Sequence, residues 1–183
     1  AGEVAPTIRV WGAAVKRACE AAGIRARVSG EPGRAIVAVA ALTLYRVGTI
    51  KRLEGIRTYV AVDGGMSDNP RPVLYGSGYE TFLPRAADAE RPRPIRLVGK
   101  HCESGDLLVA EGWVPDDLAV GDIIATPVTG AYGHSMGSNY NKIRRPAVVF
   151  VADGKTRVVV RRETYDDLLR CLAAASRRVV LRS

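Results

Sequence analysis

The chain lacks a long apolar run and has few aromatic residues. Aromatic side chains make up 6% of the 183 residues. The apolar run from 35 to 45, interrupted by Thr43, falls short of the roughly 20 residues that a membrane helix needs. The first residues, Ala1-Gly2-Glu3-Val4, lack the basic start and apolar stretch of a signal peptide. We therefore expect neither a signal peptide nor a membrane partner.

Cysteines are also scarce. Cys19, Cys102 and Cys171 are an odd number with wide spacing and no C-x-x-C pair, so a disulfide framework is not expected. His101 and Cys102 are adjacent, and neighbours on an extended chain point to opposite faces, which makes them a poor metal pair. We expect reduced thiols in a cytoplasmic protein, and no metal.

The positive charge does not form a block. The net charge is +8, and most of the basic residues are arginines scattered from Arg9 to Arg182. A nucleic-acid-binding protein would be expected to have a basic stripe with interleaved aromatic residues. Scattered arginines more often form a solvated surface or pair with carboxylates and phosphates. Composition therefore favours a globular domain that does not bind nucleic acid.

Hydrophobic periodicity divides the chain near residue 42. Apolar residues recur at helical spacing from 8 to 22, and Gly23 then ends the helix. Residues 24–28 are predicted as a short strand. Gly30-Glu31-Pro32-Gly33-Arg34 follows and leads into a second helix at Ala35, so residues 1–41 resemble an α/β unit.

Beyond residue 41 the pattern is typical of strands. They are predicted at 42–51, 58–62, 95–98, 107–109 and 123–127. Segments 147–152 and 155–162 flank Asp153-Gly154, a strong signal for a hairpin with a type I′ turn. Thr164 is predicted to cap a short helix. We predict that residues 42–183 form a mainly antiparallel β domain.

Four polar segments are candidates for function. Lys100-His101-Cys102-Glu103-Ser104-Gly105-Asp106 concentrates a thiol, an imidazole and carboxylates on a turn between two strands, as a nucleophile or a set of metal ligands would need. The glycine-containing loop at 30–34 can offer backbone N–H groups and Arg34 to an anion, or it is simply a turn. In segment 63–72, Arg71 could bind a carboxylate in a bidentate manner or form an internal salt bridge. In segment 129–141, Tyr132 could contact a ligand or close the β core.

Six motifs, taken in order, resemble the diaminopimelate decarboxylase family of fold-type III pyridoxal-phosphate enzymes. They are Glu31-Pro32-Gly33-Arg34, Val62-Asp63-Gly64-Gly65-Met66-Ser67-Asp68, Arg71 with Leu74-Tyr75-Gly76, Cys102-Glu103-Ser104-Gly105-Asp106, Gly130-Ala131-Tyr132-Gly133, and Ser138-Asn139-Tyr140-Asn141 before Arg145-Pro146-Ala147. The resemblance implies the cofactor pyridoxal 5'-phosphate, the substrate meso-diaminopimelate and a role as a carboxy-lyase in lysine biosynthesis.

The resemblance also implies a fold and an assembly. It predicts the last helix, strand and helix of a (β/α)8 barrel in residues 1–41. A C-terminal antiparallel β-sandwich or barrel-like domain of the alanine-racemase/decarboxylase type would follow in residues 42–183. Family members are homodimers whose active sites form where the barrel of one subunit meets the β domain of the other.

Roles for individual residues follow from the same resemblance. Glu31, Pro32, Gly33 and Arg34 would lie beside the cofactor phosphate. Arg34, Arg71 and Tyr75 would bind the distal carboxylate of the substrate, and Glu103 its distal ammonium. Cys102 would be the proton donor, and Tyr132 would contact cofactor and substrate.

These residue types suit the chemistry. Meso-diaminopimelate carries two carboxylates and two ammonium groups, so its site needs both arginines and an acid. After carbon dioxide leaves, the carbanion must be protonated on one face, and a thiol placed there can act as the acid.

A whole barrel takes about 250 residues, so most of it has no counterpart in this chain. None of the lysines at 16, 51, 100, 142 or 155 stands in a motif that matches the Schiff-base lysine. We expect a C-terminal fragment that is inactive without the N-terminal barrel segment. We also expect residues 1–41 to be reorganised or covered by a partner chain. Two alternatives stay open: a non-catalytic β domain that serves for dimerisation or binding, and a decarboxylase of ornithine, arginine or a carboxylated polyamine.

Overall fold

A computed structural model describes residues 4–172 of the chain. The helices are α1 (Val4–Ala21), α2 (Gly33–Val37), α3 (Arg71–Tyr75), α4 (Gly133–Met136) and α5 (Tyr165–Leu169). The strands are β1 (Leu42–Leu53), β2 (Arg57–Val62), β3 (Arg93–Val98), β4 (Leu107–Val114), β5 (Ile123–Pro127), β6 (Val148–Ala152) and β7 (Lys155–Val160). Every strand predicted beyond residue 41 overlaps one of these, so the prediction of a mainly β fold is confirmed.

Strands β1 to β5 form a single mixed sheet in the order β4-β3-β2-β1-β5. The first part of β1, residues 42–46, pairs with β5, and the part from 47 to 53 pairs with β2. The register shifts between Val47 and Thr49, and such a bulge bends a strand. One long strand thereby links the two halves of the sheet.

The pairing of β2 with β3 is parallel, whereas the other pairs in this sheet are antiparallel. The prediction of an antiparallel domain is therefore wrong for this pair. Parallel neighbours need a crossover connection, because the chain must return to the same end of the sheet. Residues 63–92 supply that crossover, and α3 with its arginine lies within it.

One face of the sheet is buried. In parts of β1, β2 and β3, buried residues alternate with more exposed ones, as expected for strands that pack on one side only. The side chains that form this core are Tyr45, Val47, Val60, Val62, Leu83, Ile95, Leu97, Leu108, Val109, Val114, Leu118 and Ile124. The packed sheet gives the loops at its edge a rigid base.

The first part of the chain differs from the prediction. Helix α1 and the helix after Gly33 are present, but residues 24–28 form no strand. Ile24 and Val28 are 55% and 48% exposed. A strand needs a neighbour for its backbone hydrogen bonds, and the described part of the chain provides none here. The helix-strand-helix prediction is therefore wrong at its strand, and cover by a partner chain stays a prediction.

Strands β6 and β7 form a separate two-stranded sheet. The turn residues Asp153 and Gly154 have φ angles of 50° and 69°, as the predicted type I′ hairpin requires. Thr164 caps α5, since its side chain accepts a hydrogen bond from the backbone N–H of Asp167 at 3.3 Å. Among residues 4–172, no helix has both the length and the hydropathy needed to cross a bilayer.

Candidate active site

The loop that follows β2, residues 63–70, joins the polar segments of the chain and is called the central loop. The backbone N–H of Lys100 donates to Gly64 O at 3.0 Å, and that of Ser138 donates to Ser67 O at 3.0 Å. Asp68 turns back to accept from Gly65 N at 3.0 Å, and its burial raises the pKa of its carboxyl group. The central loop therefore holds residues 99–106, called the thiol loop, and residues 129–141, called the tyrosine loop.

Asp106 anchors the thiol loop to the central loop. It is 4% exposed, and its Oδ1 accepts from Met66 N at 2.6 Å. Its Oδ2 accepts from His101 N at 2.8 Å and lies 2.9 Å from His101 Nδ1. A Cβ on Gly65 would lie 2.7 Å from either carboxylate oxygen, and one on Gly99 would be closer still. Only glycine at these positions lets the backbone approach the buried carboxylate.

His101 lies beneath a tyrosine of the tyrosine loop. Its ring stacks on that of Tyr140 with centroids 5.7 Å apart and planes inclined by 7°. Because Nδ1 faces the carboxylate of Asp106, that nitrogen carries the proton and the ring orientation is fixed. His101 Nε2 is buried and has no hydrogen-bond partner among the described residues.

Tyr140 reaches back to the thiol loop. Its hydroxyl donates to Glu103 Oε2 at 3.2 Å. This hydrogen bond and the negative charge of Glu103 raise the pKa of Tyr140, so the hydroxyl stays a donor at neutral pH. Tyr140 therefore contacts Glu103, the thiol-loop residue predicted to bind the substrate ammonium.

The thiol loop itself connects β3 to β4, as the turn prediction requires. Cys102 and Glu103 are exposed, whereas His101 is buried. Adjacent side chains thus point to opposite sides, as predicted, and the thiol is accessible to a ligand. All three cysteines are free thiols.

Arg71 opens α3 and is held by two aromatic rings. Its guanidinium carbon lies 5.1 Å from the centre of the Tyr75 ring and 5.2 Å from that of Tyr132. Its Nε is buried without a hydrogen-bond partner, and no carboxylate within the described residues forms an ion pair with it. Arg71 therefore forms no internal salt bridge within residues 4–172, which leaves its donors available to an anionic ligand there.

Tyr132 has a left-handed backbone, with φ at 67°, and is 42% exposed. It does not close the β core. Its hydroxyl is close to the backbone of Gly33, where a Cβ would lie 2.9 Å from the oxygen. Gly130 N also donates to Ala38 O at 3.0 Å, so the tyrosine loop packs beside α2. Such strained tyrosines cluster at ligand sites.

We call Gly33, Arg71, Tyr75 and Tyr132 the arginine cluster. Their contacts bring three of the six motifs together: the segment around Gly33, the start of α3 and the tyrosine loop. Glu31, Pro32 and Arg34, the sequence neighbours of Gly33, are exposed. For the residues described, no hydrogen bond, ion pair or ring contact joins Cys102 or Glu103 to the arginine cluster.

Sequence reasoning missed Tyr140, His101 and Asp106 as a supporting chain for Glu103. Both loops stood out as polar, but no periodic pattern says that they meet. One sequence signal could have indicated that the central loop and the thiol loop are packed closely: each contains a glycine, Gly65 and Gly99 respectively. A glycine allows the backbone to approach a buried acid such as Asp106 closely.

The chain was compared with known proteins. Residues 36–130 match the model of the family described as "Pyridoxal-dependent decarboxylase, C-terminal sheet domain". A diaminopimelate decarboxylase of Actinosynnema pretiosum subsp. auranticum is 57% identical over 145 residues, which are 79% of this chain and 32% of that protein. One of Synechocystis is 46% identical over 170 residues, or 90% of this chain and 36% of that protein.

Solved structures that resemble this chain include diaminopimelate decarboxylases as well. The crystal structure of diaminopimelate decarboxylase from Helicobacter pylori, complexed with L-lysine, matches with a TM-score of 0.67 and 36% identity. The match covers 76% of this chain and 34% of the Helicobacter chain. The chain therefore spans about a third of the length of the relatives it matches.

Proposed function

The chain belongs to the pyridoxal-dependent decarboxylase family through the C-terminal sheet domain of that family, and we propose that it supplies part of the active site of a diaminopimelate decarboxylase. The proposed reaction converts meso-diaminopimelate to L-lysine and carbon dioxide. One observation carries the proposal: Arg71 is held between two tyrosine rings with a buried nitrogen that has no partner among the described residues. The identity of the relatives supports the choice of substrate.

The distal end of the substrate bears a carboxylate and an ammonium. Arg71 binds the carboxylate, because a planar guanidinium donates two parallel hydrogen bonds that lysine cannot. Arg34 and Tyr75 complete this contact. Glu103 binds the distal ammonium, and its exposed carboxylate accepts a hydrogen bond from the hydroxyl of Tyr140. Ornithine has no distal carboxylate, so it would leave Arg71 without a ligand.

The residues of the arginine cluster fit pyridoxal phosphate as the cofactor. The absent side chain at Gly33 lets the Tyr132 hydroxyl lie against the backbone of the segment that carries Arg34, where a Cβ would be 2.9 Å from the oxygen. Glu31, Pro32 and Arg34 are exposed neighbours of Gly33 in sequence and would lie near the phosphate. When bound, the cofactor supplies an electron sink for the decarboxylation. Tyr132 would contact both the cofactor and the substrate.

Cys102 is the proposed proton donor to the substrate carbon that has lost its carboxylate. Its thiol is exposed on a loop that Asp106 fixes from below. A thiol held with this rigidity can deliver its proton to one face of that carbon, which becomes the CH2 beside the ε-amino group of L-lysine.

We further propose that the site is completed between two subunits. Cys102 and Glu103 have no contact with the arginine cluster of their own chain, in the part that the structure describes. In a two-fold dimer, the thiol loop of one subunit would face the arginine cluster of the other. The Schiff-base lysine would come from a barrel segment outside these 183 residues.

Decarboxylation by the complete enzyme tests this function. The chain, joined to or mixed with its barrel segment, should release carbon dioxide from carboxyl-labelled meso-diaminopimelate. Turnover of ornithine should be slower by roughly two orders of magnitude or more, because a site built for a polar group rejects a ligand that leaves its buried donors unpaired. No release from either substrate would favour a non-catalytic dimerisation or binding module. Faster turnover of ornithine would favour the related decarboxylases.

A further inference from the structure

A hydrogen bond links the tyrosine loop to the residue proposed to bind the distal ammonium. The hydroxyl of Tyr140 donates to Glu103 Oε2 at 3.2 Å. Glu103 lies on the surface, where an unsupported glutamate samples several rotamers and loses that freedom on binding. A donor on one oxygen restricts the carboxylate and leaves its other oxygen for a cation.

Tyr140 is itself fixed from behind. Its ring lies flat on the buried ring of His101, with a centroid separation of 5.7 Å. Asp106 sets the orientation of that ring through His101 Nδ1, and Asp106 is bound in turn to the central loop through Met66 N. The buried residues Asp106 and His101 thereby fix Tyr140, and Tyr140 contacts the exposed carboxylate of Glu103. None of these three supporting residues is proposed to touch the ligand.

We propose that Tyr140 is a positioning residue that orients Glu103 and so determines specificity for the distal ammonium of the substrate. The inference rests on the proposed function, because it takes the ligand of Glu103 from there. It adds a residue that the substrate contacts do not include. Its effect should be confined to ligands that carry the distal ammonium.

Two ligands of the complete holoenzyme isolate this effect. Decarboxylation at one end of the substrate leaves the distal carboxylate and ammonium as the α-groups of L-lysine. ε-Aminocaproate is the same molecule without the α-ammonium. Equilibrium binding of both ligands should be measured for the wild type and for Tyr140→Phe, which keeps the stacked ring and removes the hydroxyl. We expect L-lysine to bind about fivefold more weakly and ε-aminocaproate to be unchanged.

Two further variants make the comparison specific. Tyr165→Phe makes the same chemical change on α5, where the ring faces Arg144 at 4.5 Å, and should leave both affinities unchanged. In a Glu103→Gln background, Tyr140→Phe should weaken L-lysine binding by less than twofold, because the carboxylate it orients is gone.

Two results would overturn the role of Tyr140. One is an unchanged affinity of Tyr140→Phe for L-lysine. The other is an equal loss for L-lysine and ε-aminocaproate, which a general disturbance of the loop would cause. A wild-type holoenzyme that binds no L-lysine and releases no carbon dioxide would instead overturn the proposed function itself.

Discussion

The thiol loop and the arginine cluster are held in place by different means. The thiol loop is fixed by a buried carboxylate that accepts backbone hydrogen bonds, and it presents a negative charge and a thiol. The arginine cluster is fixed by aromatic rings around one guanidinium, and it presents a positive charge. Each region is fixed by contacts within this chain, but each presents a charge of one sign only. A ligand that carries both a positive and a negative charge would therefore need the two regions together.

The largest expected effect is that of Cys102, whose loss should lower kcat with little change in KM. Replacing Cys102 with alanine in the complete enzyme should lower kcat by about two to four orders of magnitude, the usual contribution of a positioned general acid. KM should change little, because the thiol makes no contact with the charged ends of the substrate. Steady-state kinetics with meso-diaminopimelate measures both.

A matched control is available for this variant. Cys171 is also an exposed free thiol, but it lies at the far end of the described chain. Cys171→Ala should leave kcat unchanged. If Cys102→Ala turned over as fast as the wild type, Cys102 would have no part in the proton transfer.

The next effect belongs to the arginine cluster. Arg71→Ala should raise KM for meso-diaminopimelate by roughly 30- to 100-fold, as expected when one partner of a desolvated charge pair is removed. Arg71→Lys should recover only part of this loss, because an ammonium cannot donate in a bidentate manner. The values come from initial-rate kinetics, with kcat reported separately.

Arg52 provides the comparison, since it is an exposed arginine on β1, away from the tyrosine rings. Arg52→Ala should not alter KM. A KM for Arg71→Ala equal to that of the wild type would remove Arg71 from the carboxylate site.

The third effect concerns stability rather than kinetics. Asp106→Asn keeps the shape of the side chain but places an amide where a carboxylate accepts hydrogen bonds from Met66 N and His101 N. We expect a loss of about 2–4 kcal/mol in the free energy of unfolding, because a buried charged acceptor is replaced by a group that cannot satisfy every donor. Urea unfolding followed through its midpoint measures this.

Asp116→Asn is the control, because Asp116 pairs with Arg93 at 2.6 Å on the surface, where its side chain is 68% exposed. A solvated pair contributes little to stability. If the two substitutions lowered the midpoint equally, burial of Asp106 would not be what fixes the thiol loop.

Much of the sheet could be predicted from the sequence, because one of its faces is buried and the other is exposed. Alternation therefore located the strands, and Asp153-Gly154 located a hairpin. Pairing was harder. Period-two alternation is the same in parallel and antiparallel strands, so the parallel pair of β2 and β3 was not foreseen. The strand predicted at 24–28 was wrong, since alternation alone supplies no hydrogen-bonding neighbour.

The resemblance predicted which residues would serve one substrate, but it did not predict the contacts that these side chains make with one another. Arg71 and Tyr132 lie in motifs far apart in sequence, and only the structure brings the ring to the guanidinium. The support of Glu103 by Tyr140 and His101 depends on two loops that meet through a buried acid. Such contacts depend on tertiary packing, which no local pattern encodes.

Mixing two impaired variants of the complete enzyme tests most directly whether the thiol loop and the arginine cluster of different subunits form one site. Activity is measured at a substrate concentration far below the KM of Arg71→Ala, where both separate variants turn over slowly. Subunits carrying Cys102→Ala, co-expressed with subunits carrying Arg71→Ala, should form mixed dimers in which one of the two sites has both residues intact. With random pairing, the specific activity should recover to about a quarter of the wild-type value, because half of the dimers are mixed and each has one working site. Activity that stayed at the level of the separate variants, despite purified mixed dimers, would contradict a shared site.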